Sequence, residues 1–228
     1  PSILNFGDEI REVKETGVPI VVSVYGFSSE EFAKVAEVAA KMGADALELN
    51  VSCPHVKETG AEIGCNPELV AEVVKKVKSR VDKPVFVKLT PNVADIGEVA
   101  EAAVEAGADA ITAINTVRAM SIEIETTRPL LGNKVGGLSG PAIKPIAIRC
   151  VYEVYREVDV PVIGCGGITS WKDAVEFMLA GASAVQIGTA IAYKGLGVFR
   201  SVTRGIEAYV KKKGFENVKE IVGLAQKF

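Results

Sequence analysis

Two kinds of short apolar run recur along this chain, and they limit what it can fold into. Runs of the first kind open with a residue followed by proline, at residues 18–24 (VPIVVSV), 83–89 (KPVFVKL) and 160–166 (VPVIGCG). Runs of the second kind open Gly-Ala-Asp/Ser-Ala, at residues 43–50 (GADALELN), 107–115 (GADAITAIN) and 181–188 (GASAVQIG). Short apolar runs rich in β-branched residues are typical of parallel strands buried on both faces.

Helical patterns lie between these runs, and each has its own start signal. The predicted starts are Ser28 with Glu31, Asn66 with Pro67, Asp95, residue 141, Ser170 with Asp173, and residue 197. The order is therefore strand then helix, repeated along the chain with no break in composition. Such alternation predicts a parallel sheet covered by helices, in the α/β class.

The number of strands bears on the choice between an open doubly wound sheet and a (β/α)8 TIM barrel. A barrel needs eight strands and typically about 250 residues, whereas this chain has 228 residues and six predicted strands. We expect a single barrel domain over residues 1–228, with about six βα units present. Because Pro1 is not an initiator methionine, we expect an earlier part of a longer protein to supply two N-terminal strands. The segment over residues 116–140 is longer than a typical βα loop, and such length indicates a functional loop.

Composition argues against several classes of protein. The formal net charge of −3 and the pI near 5.5 give no basic surface for nucleic acid, and no apolar run reaches the roughly 18–20 residues of a membrane helix. The four cysteines form no Cys-X-X-Cys pair, so we expect reduced thiols and no structural zinc. We therefore predict a cytoplasmic protein that binds neither nucleic acid nor a membrane.

Polar residues and glycines follow five of the predicted strands. In both candidate architectures the carboxyl ends of the strands form the ligand-binding edge. The residues there are Asn50 to His55, Lys88, Asn115 with Thr116, Gly166 with Gly167, and Gly188 with Thr189. A sheet with only a structural role does not require polar residues or glycines at the same end of five strands, so we place the site at these ends.

The glycines at the last two strand ends suggest a phosphate site. Glycine lets backbone N–H groups approach phosphate oxygens closely, and barrels often hold phosphate after their seventh and eighth strands. Either pair alone is better explained by a tight turn. Together, at matching strand ends, Gly166-Gly167 and Gly188-Thr189 favour a phosphate.

Each of the other candidate residues also has a structural explanation. Lys88 lies inside an apolar strand, where its charge needs either a structural ion pair or a bound cofactor. Asn50 and Asn115 have amide groups that suit a planar heterocycle, although asparagine is also a common turn cap. His55, the only histidine, is either a general base or a surface loop residue.

Six segments carry a family resemblance. They are residues 47–54 (LELNVSCP), 87–92 (VKLTPN), 114–116 (INT), 136–145 (GGLSGPAIKP), 166–168 (GGI) and 184–189 (AVQIGT). Together they resemble the dihydroorotate dehydrogenases, over nearly the whole chain from about residue 18 onward. The combination is specific, although each short segment alone is not. The resemblance implies a (β/α)8 barrel that holds FMN and oxidises dihydroorotate to orotate in pyrimidine biosynthesis.

The resemblance also implies roles for individual residues. Cys53 would be the base that removes the C5 proton of dihydroorotate while the C6 hydride passes to flavin N5. A cysteine here, where membrane-associated class 2 enzymes have serine, indicates class 1. The implied substrate contacts are Asn50, Asn115 and Thr116. The implied cofactor contacts are Ser23, Asn50, Lys88, Ile114, Gly140, Gly166, Gly167, Gly188 and Thr189.

The chain departs from the family pattern in two ways. His55 stands where many relatives have a substrate-binding asparagine, and histidine can still donate one hydrogen bond. The first two barrel strands, which carry a flavin-contacting lysine and a substrate loop, are missing in front of Pro1. If the molecule lacks that region, the barrel is open and catalysis should fail. If the sequence only begins after a cleaved or disordered segment, we expect an ordinary full enzyme.

The resemblance leaves the electron acceptor open. Class 1A relatives are homodimers that use fumarate, whereas class 1B relatives pair with a subunit that carries FAD and a [2Fe–2S] cluster and reduce NAD⁺. Residues 136–145 look more like class 1B, so we expect a homodimer with such a second subunit. Two alternatives remain. One is a related FMN barrel, similar to dihydropyrimidine dehydrogenase or a dihydrouridine synthase. The other is a non-catalytic barrel fragment that binds a phosphorylated ligand.

Overall fold

The structure is a computed structural model that describes residues 6–51 and 63–228. The chain divides into two compact units. The first comprises Pro1–Leu89 and Glu98–Ile111, and the second comprises Thr90–Gly97 and Thr112–Phe228. The single domain expected over residues 1–228 stays a prediction.

The first unit alternates helices and parallel strands. Its elements are α1 (Gly7–Lys14), β1 (Val21–Val24), α2 (Ser29–Lys41), β2 (Ala46–Asn50), α3 (Pro67–Lys78) and β3 (Val85–Leu89), followed by α4 (Ile96–Glu105), which begins in the second unit. Strand β2 pairs in parallel with β1 on one side and with β3 on the other. Helix α2 packs against α3, and their buried faces include Phe32, Val70 and Val74.

Helices α2, α3 and α4 begin where the sequence predicts, whereas the start of α1 at Gly7 was not predicted. The Ser28 hydroxyl accepts a hydrogen bond from Glu31 N at 3.3 Å, and Asn66 Oδ1 accepts from Glu68 N at 2.8 Å and Leu69 N at 3.1 Å. Pro67 fits the first turn of α3 because the N–H it lacks has no partner within a helix at that position. The start at Asp95 is also confirmed, since its carboxylate accepts from Gly97 N at 2.8 Å.

Besides Thr90–Gly97, the second unit contains the end of β4 (Ala110–Ala113), which two small antiparallel ribbons follow. In these ribbons β5 (Val117–Ala119) pairs with β8 (Gly136–Leu138), and β6 (Ile122–Glu123) pairs with β7 (Arg128–Pro129). The long segment over residues 116–140 thus contains two short antiparallel ribbons connected by turns. Its two- and three-residue strands are too short to leave a periodic pattern in the sequence.

The remainder of the second unit returns to alternating strands and helices. Its elements are α5 (Lys144–Glu157), β9 (Val162–Cys165), α6 (Trp171–Ala180), β10 (Ala182–Gln186), α7 (Ala190–Lys194) and α8 (Gly197–Lys212). Strands β9 and β10 are parallel, and Ile114 N donates to Cys165 O at 2.9 Å. The helix predicted from residue 141 opens as a single 3-10 turn, Pro141–Ile143, before α5 begins.

The predicted class is confirmed, because the described residues alternate strands and helices with parallel pairing, consistent with part of a (β/α)8 barrel. Burial on both faces holds for β2 and β4 but is wrong for β1 and β10. Val21 is 47% exposed, and within the described residues β1 is an edge strand that pairs with β2 alone. Across the same residues, no helix is long and apolar enough to cross a membrane.

Candidate active site

Strands β2 and β3 bring a lysine and a glutamate together in the first unit. Asn50 lies opposite Lys88 in the strand register, and Glu48 lies opposite Phe86. Lys88 Nζ is 3.5 Å from Glu48 Oε1, and the two side chains are 19% and 5% exposed. The ion pair proposed for Lys88 as a structural alternative is therefore present. A contact between Lys88 and a cofactor stays a prediction.

Glu48 is a residue whose importance the sequence reasoning missed. It is one of few polar residues buried within the described parts of the chain. A carboxylate inside the apolar run at residues 43–50 was the available signal, because a buried charge requires a partner. Side chains two residues apart on a strand share a face, so Glu48 and Asn50 lie on the same face of β2.

Ser23 lies on β1 and is exposed. It lines a cavity of about 730 Å³ together with the aromatic side chains of Phe6, Tyr25 and Phe27. The predicted contact between Ser23 and flavin stays a prediction. Cys53 and His55 lie outside the described residues.

In the second unit, Asn92 fixes the backbone around two predicted substrate ligands. Its amide nitrogen donates to Thr116 O at 3.2 Å and to Thr90 Oγ1 at 2.8 Å, while its oxygen accepts from Arg118 N at 2.9 Å. The Asn115 side chain accepts from Thr116 N at 2.7 Å. These bonds tie the loop after β3 to the loop after β4, and thereby orient Asn115 and Thr116.

The ribbon strand β8 passes directly against Thr116. A Cβ atom on Gly137 would lie 2.2 Å from Thr116 Oγ1, a distance that no side chain tolerates. Gly137 is therefore required by packing, and it allows the ribbon to press on the predicted substrate loop.

The four predicted phosphate glycines divide into two groups. Gly166 and Gly167 have φ of +139° and +75°, and added Cβ atoms would lie 2.6 Å from Ala147 Cβ and 2.8 Å from Gly140 O. Their tight packing alone explains why they are glycines. Gly140 has φ of +87°, and among the described residues its Cβ position has only Thr189 and Tyr193 atoms nearby, at 3.6 Å. No described atom lies within 4 Å of the Cβ position of Gly188.

Hydroxyl-bearing residues lie next to the more open glycines: Thr189 and Tyr193 are near Gly140, and Thr189 follows Gly188 in the chain. Thr189 Oγ1 donates to Ser139 Oγ at 2.9 Å, and the Tyr193 hydroxyl lies 3.6 Å from the Cβ position of Gly140. Hydroxyl groups beside open glycine backbone fit the phosphate of FMN, which needs donors and close approach. Ser139 and Tyr193 had no role in the sequence analysis. The run at residues 136–145, which carries the family resemblance, could have indicated Ser139. No sequence feature indicated Tyr193.

Ile114 is 1% exposed and lies among core residues of the second unit. Its Cγ1 atom is 3.6 Å from the Cβ position of Gly166. Packing of Ile114 on a flavin stays a prediction.

The family model described as "Dihydroorotate dehydrogenase" matches residues 4–210. A protein of Pyrococcus abyssi named "Dihydroorotate dehydrogenase B (NAD(+)), catalytic subunit" is 56% identical over 222 residues, which are 97% of this chain and 74% of that protein. Proteins of the same name from Methanocella arvoryzae and Methanothermobacter thermautotrophicus are 52% and 54% identical over 227 residues, 74% of each protein.

The family match and these identities extend over nearly the whole chain, including every segment that carried the resemblance. The chain therefore belongs to the dihydroorotate dehydrogenase family.

Proposed function

We propose that this chain is the catalytic, FMN-binding part of a class 1B dihydroorotate dehydrogenase and oxidises dihydroorotate to orotate. The observation that carries the proposal is identity above 50%, over nearly all of the chain, to proteins named as catalytic subunits of dihydroorotate dehydrogenase B (NAD(+)). Cys53, in the run LELNVSCP, agrees with class 1 chemistry.

The second unit would bind the phosphate end of FMN. Gly140 and Gly188 offer approachable backbone, and Ser139 and Thr189 offer hydroxyl groups. Gly166 and Gly167 would support these loops as well as contact the cofactor. FMN, when bound, would supply the acceptor for the hydride that leaves C6 of dihydroorotate.

Three amide- or hydroxyl-bearing residues would orient the substrate ring. Asn50, Asn115 and Thr116 can donate to and accept from the alternating N–H and C=O groups of a pyrimidine. The bonds from Asn92 hold Thr116 in place before the substrate arrives, which lowers the entropic cost of binding. Cys53, as a thiolate, would take the proton from C5.

Lys88 would stabilise negative charge on the cofactor when it is reduced. Its partner Glu48 balances the positive charge of Lys88 in the described structure, so the ion pair would hold the Lys88 side chain in a fixed orientation. A lysine held in this way needs no reorganisation when charge develops nearby.

The name "catalytic subunit" of the relatives implies a second subunit. We propose that this subunit carries FAD and a [2Fe–2S] cluster, passes electrons to NAD⁺, and binds a homodimer of this chain. The test is an assay of dihydroorotate oxidation by the purified protein, alone and with that subunit. NAD⁺ reduction is expected only when both subunits are present. Fumarate reduction by the chain alone would contradict class 1B and favour class 1A.

A further inference from the structure

Lys144 stands four residues after Gly140, yet its charge is already neutralised within the protein. Its Nζ atom donates to Asp173 Oδ1 at 2.8 Å and to Glu176 Oε2 at 2.5 Å. The Lys144 and Asp173 side chains are 27% and 13% exposed, whereas Glu176 is 51% exposed. A lysine engaged by two carboxylates is poorly suited to be the phosphate ligand itself.

The second oxygen of Asp173 holds a different segment. Asp173 Oδ2 accepts from Thr169 N at 3.0 Å and from Ser170 N at 2.8 Å, and it also accepts from both hydroxyl groups. Thr169 and Ser170 lie two and three residues after Gly167 in the same loop. Lys144 lies four residues after Gly140, at the end of the loop that begins there. The Lys144–Asp173 ion pair therefore joins the two loops that carry three of the predicted phosphate glycines.

The two loops also touch through their backbones. A Cβ atom on Gly167 would lie 2.8 Å from Gly140 O, 2.9 Å from Lys144 Cβ and 3.1 Å from Lys144 N. There is no room for a side chain between the two loops, so they pack in direct contact and their separation is fixed. A shift of Lys144 would be transmitted directly to Gly140 and Gly167.

We infer that Lys144 and Asp173 are positioning residues for the cofactor phosphate. Their ion pair holds the Gly140 loop against the Gly166-Gly167 loop in the arrangement that binds phosphate, without either side chain being a ligand. Preorganised loops lose less conformational entropy on binding, so the ion pair raises affinity. This inference rests on the proposed function, since the phosphate is that of FMN.

The experiment compares the affinities of the apoprotein for FMN and for riboflavin, which lacks the phosphate. Titrations are followed by flavin fluorescence. Lys144→Met keeps much of the side-chain length but removes the charge. We expect it to weaken FMN binding about tenfold, in line with the loss of one partly buried ion pair, and to leave riboflavin binding unchanged.

Matched variants separate positioning from general destabilisation. Lys144→Arg keeps the charge, and we expect it to retain most of the wild-type preference for FMN over riboflavin. Glu176→Gln removes only the exposed partner and is expected to have a smaller effect. Lys211→Met removes one side of the exposed Lys211–Glu207 pair on α8 and is expected to change neither affinity.

Two results would overturn the inference while leaving the proposed function intact. One is an unchanged FMN preference in Lys144→Met, and the other is an equal loss of FMN and riboflavin affinity in that variant. A wild-type protein that binds FMN no better than riboflavin would instead contradict the proposed phosphate site itself.

Discussion

The cysteines in the described residues differ in their surroundings, and this difference bears on which thiol can act as a base. Cys150 is fully buried on α5, and burial raises its pKa to about 11. Cys65 is exposed, and Cys165 is partly buried at the end of β9. Only a thiolate removes protons or attacks electrophiles efficiently, so Cys150 has the properties of an inert core residue.

Thiol labelling tests this contrast. At pH 8 a thiol with the raised pKa of Cys150 is ionised in only about one molecule in a thousand. We expect a small alkylating reagent to modify Cys65 rapidly and Cys150 only very slowly, as measured by mass spectrometry of peptides. Unfolding in urea should make their rates similar. Equal rates in the folded protein would show that Cys150 is accessible and ionisable.

The Lys144 and Asp173 pair has a pH dependence of its own. Burial by itself would raise the pKa of Asp173, but the hydrogen bonds from Lys144, Thr169 and Ser170 outweigh it, and the pKa lies well below its usual range. The stabilisation from this carboxylate is therefore fully present above the ordinary aspartate pKa of about 3.9 and is lost as the pH falls through the folded-state value. Neutral pH leaves the pair intact.

At the scale of elements, helix starts are where local sequence and structure agree most closely. Helix α6 has the capping box of Ser170 and Asp173, and the Asn66 side chain caps helix α3. Both caps satisfy backbone N–H groups that have no partner within the helix. Side chains with a hydrogen-bond acceptor recur before different helices, because every helix has free backbone N–H groups in its first turn.

Replacement of Asn66 tests the cap of α3. Asn66→Ala removes the acceptor for Glu68 N and Leu69 N, and we expect it to lower the free energy of unfolding by about 1 kcal/mol in urea denaturation. Asn66→Asp keeps an acceptor and places negative charge at the positive end of the helix dipole, so it should cost nothing. An Asn66→Ala protein as stable as the wild type would mean that the helix start does not depend on this side chain.

The short ribbons over residues 116–140 are the elements that could not be predicted from the sequence. The apolar runs predicted the strands, and the helices between them followed from caps and glycines. The ribbons over residues 116–140 did not follow, because their short strands alternate too few residues to show a period. The contact of Gly137 with Thr116 depends on that ribbon and was likewise not predictable.

At the scale of the whole molecule, the class of fold was predictable because the strand-helix alternation repeats throughout the chain. The exposure of β1 and β10 was not predictable, since burial depends on which elements cover a strand and not on its own sequence. The final 3-10 turns, Val218–Ile221 and Leu224–Lys227, also went unpredicted. The Gln226 side chain holds the second of these turns in place by donating to Tyr152 O and Ala180 O. Both acceptors are distant from Gln226 in the sequence, so these contacts could not be predicted.

The candidate site was predictable in part for a similar reason. Strand ends can be read from the sequence, and from them we predict Asn50, Lys88, Asn115 and the glycine pairs as site residues. Partners across strands cannot be read in this way, so Glu48 and Asn92 emerged only from the structure. The assignment of a base to Cys53 came from family resemblance and stays a prediction.

The central claim is that Cys53 of this chain removes a proton from dihydroorotate while the bound flavin is reduced. The most direct test is anaerobic mixing of the flavin-loaded protein with dihydroorotate, followed by the visible absorbance of the flavin. The wild type should lose this absorbance, faster as the pH rises toward the ordinary thiol pKa of about 8.5. Cys53→Ala should retain FMN but lose absorbance at least about 100-fold more slowly, since general-base catalysis contributes on that order. Cys53→Ala that reacts as fast as the wild type, or a flavin-loaded wild type that does not react, would contradict the claim.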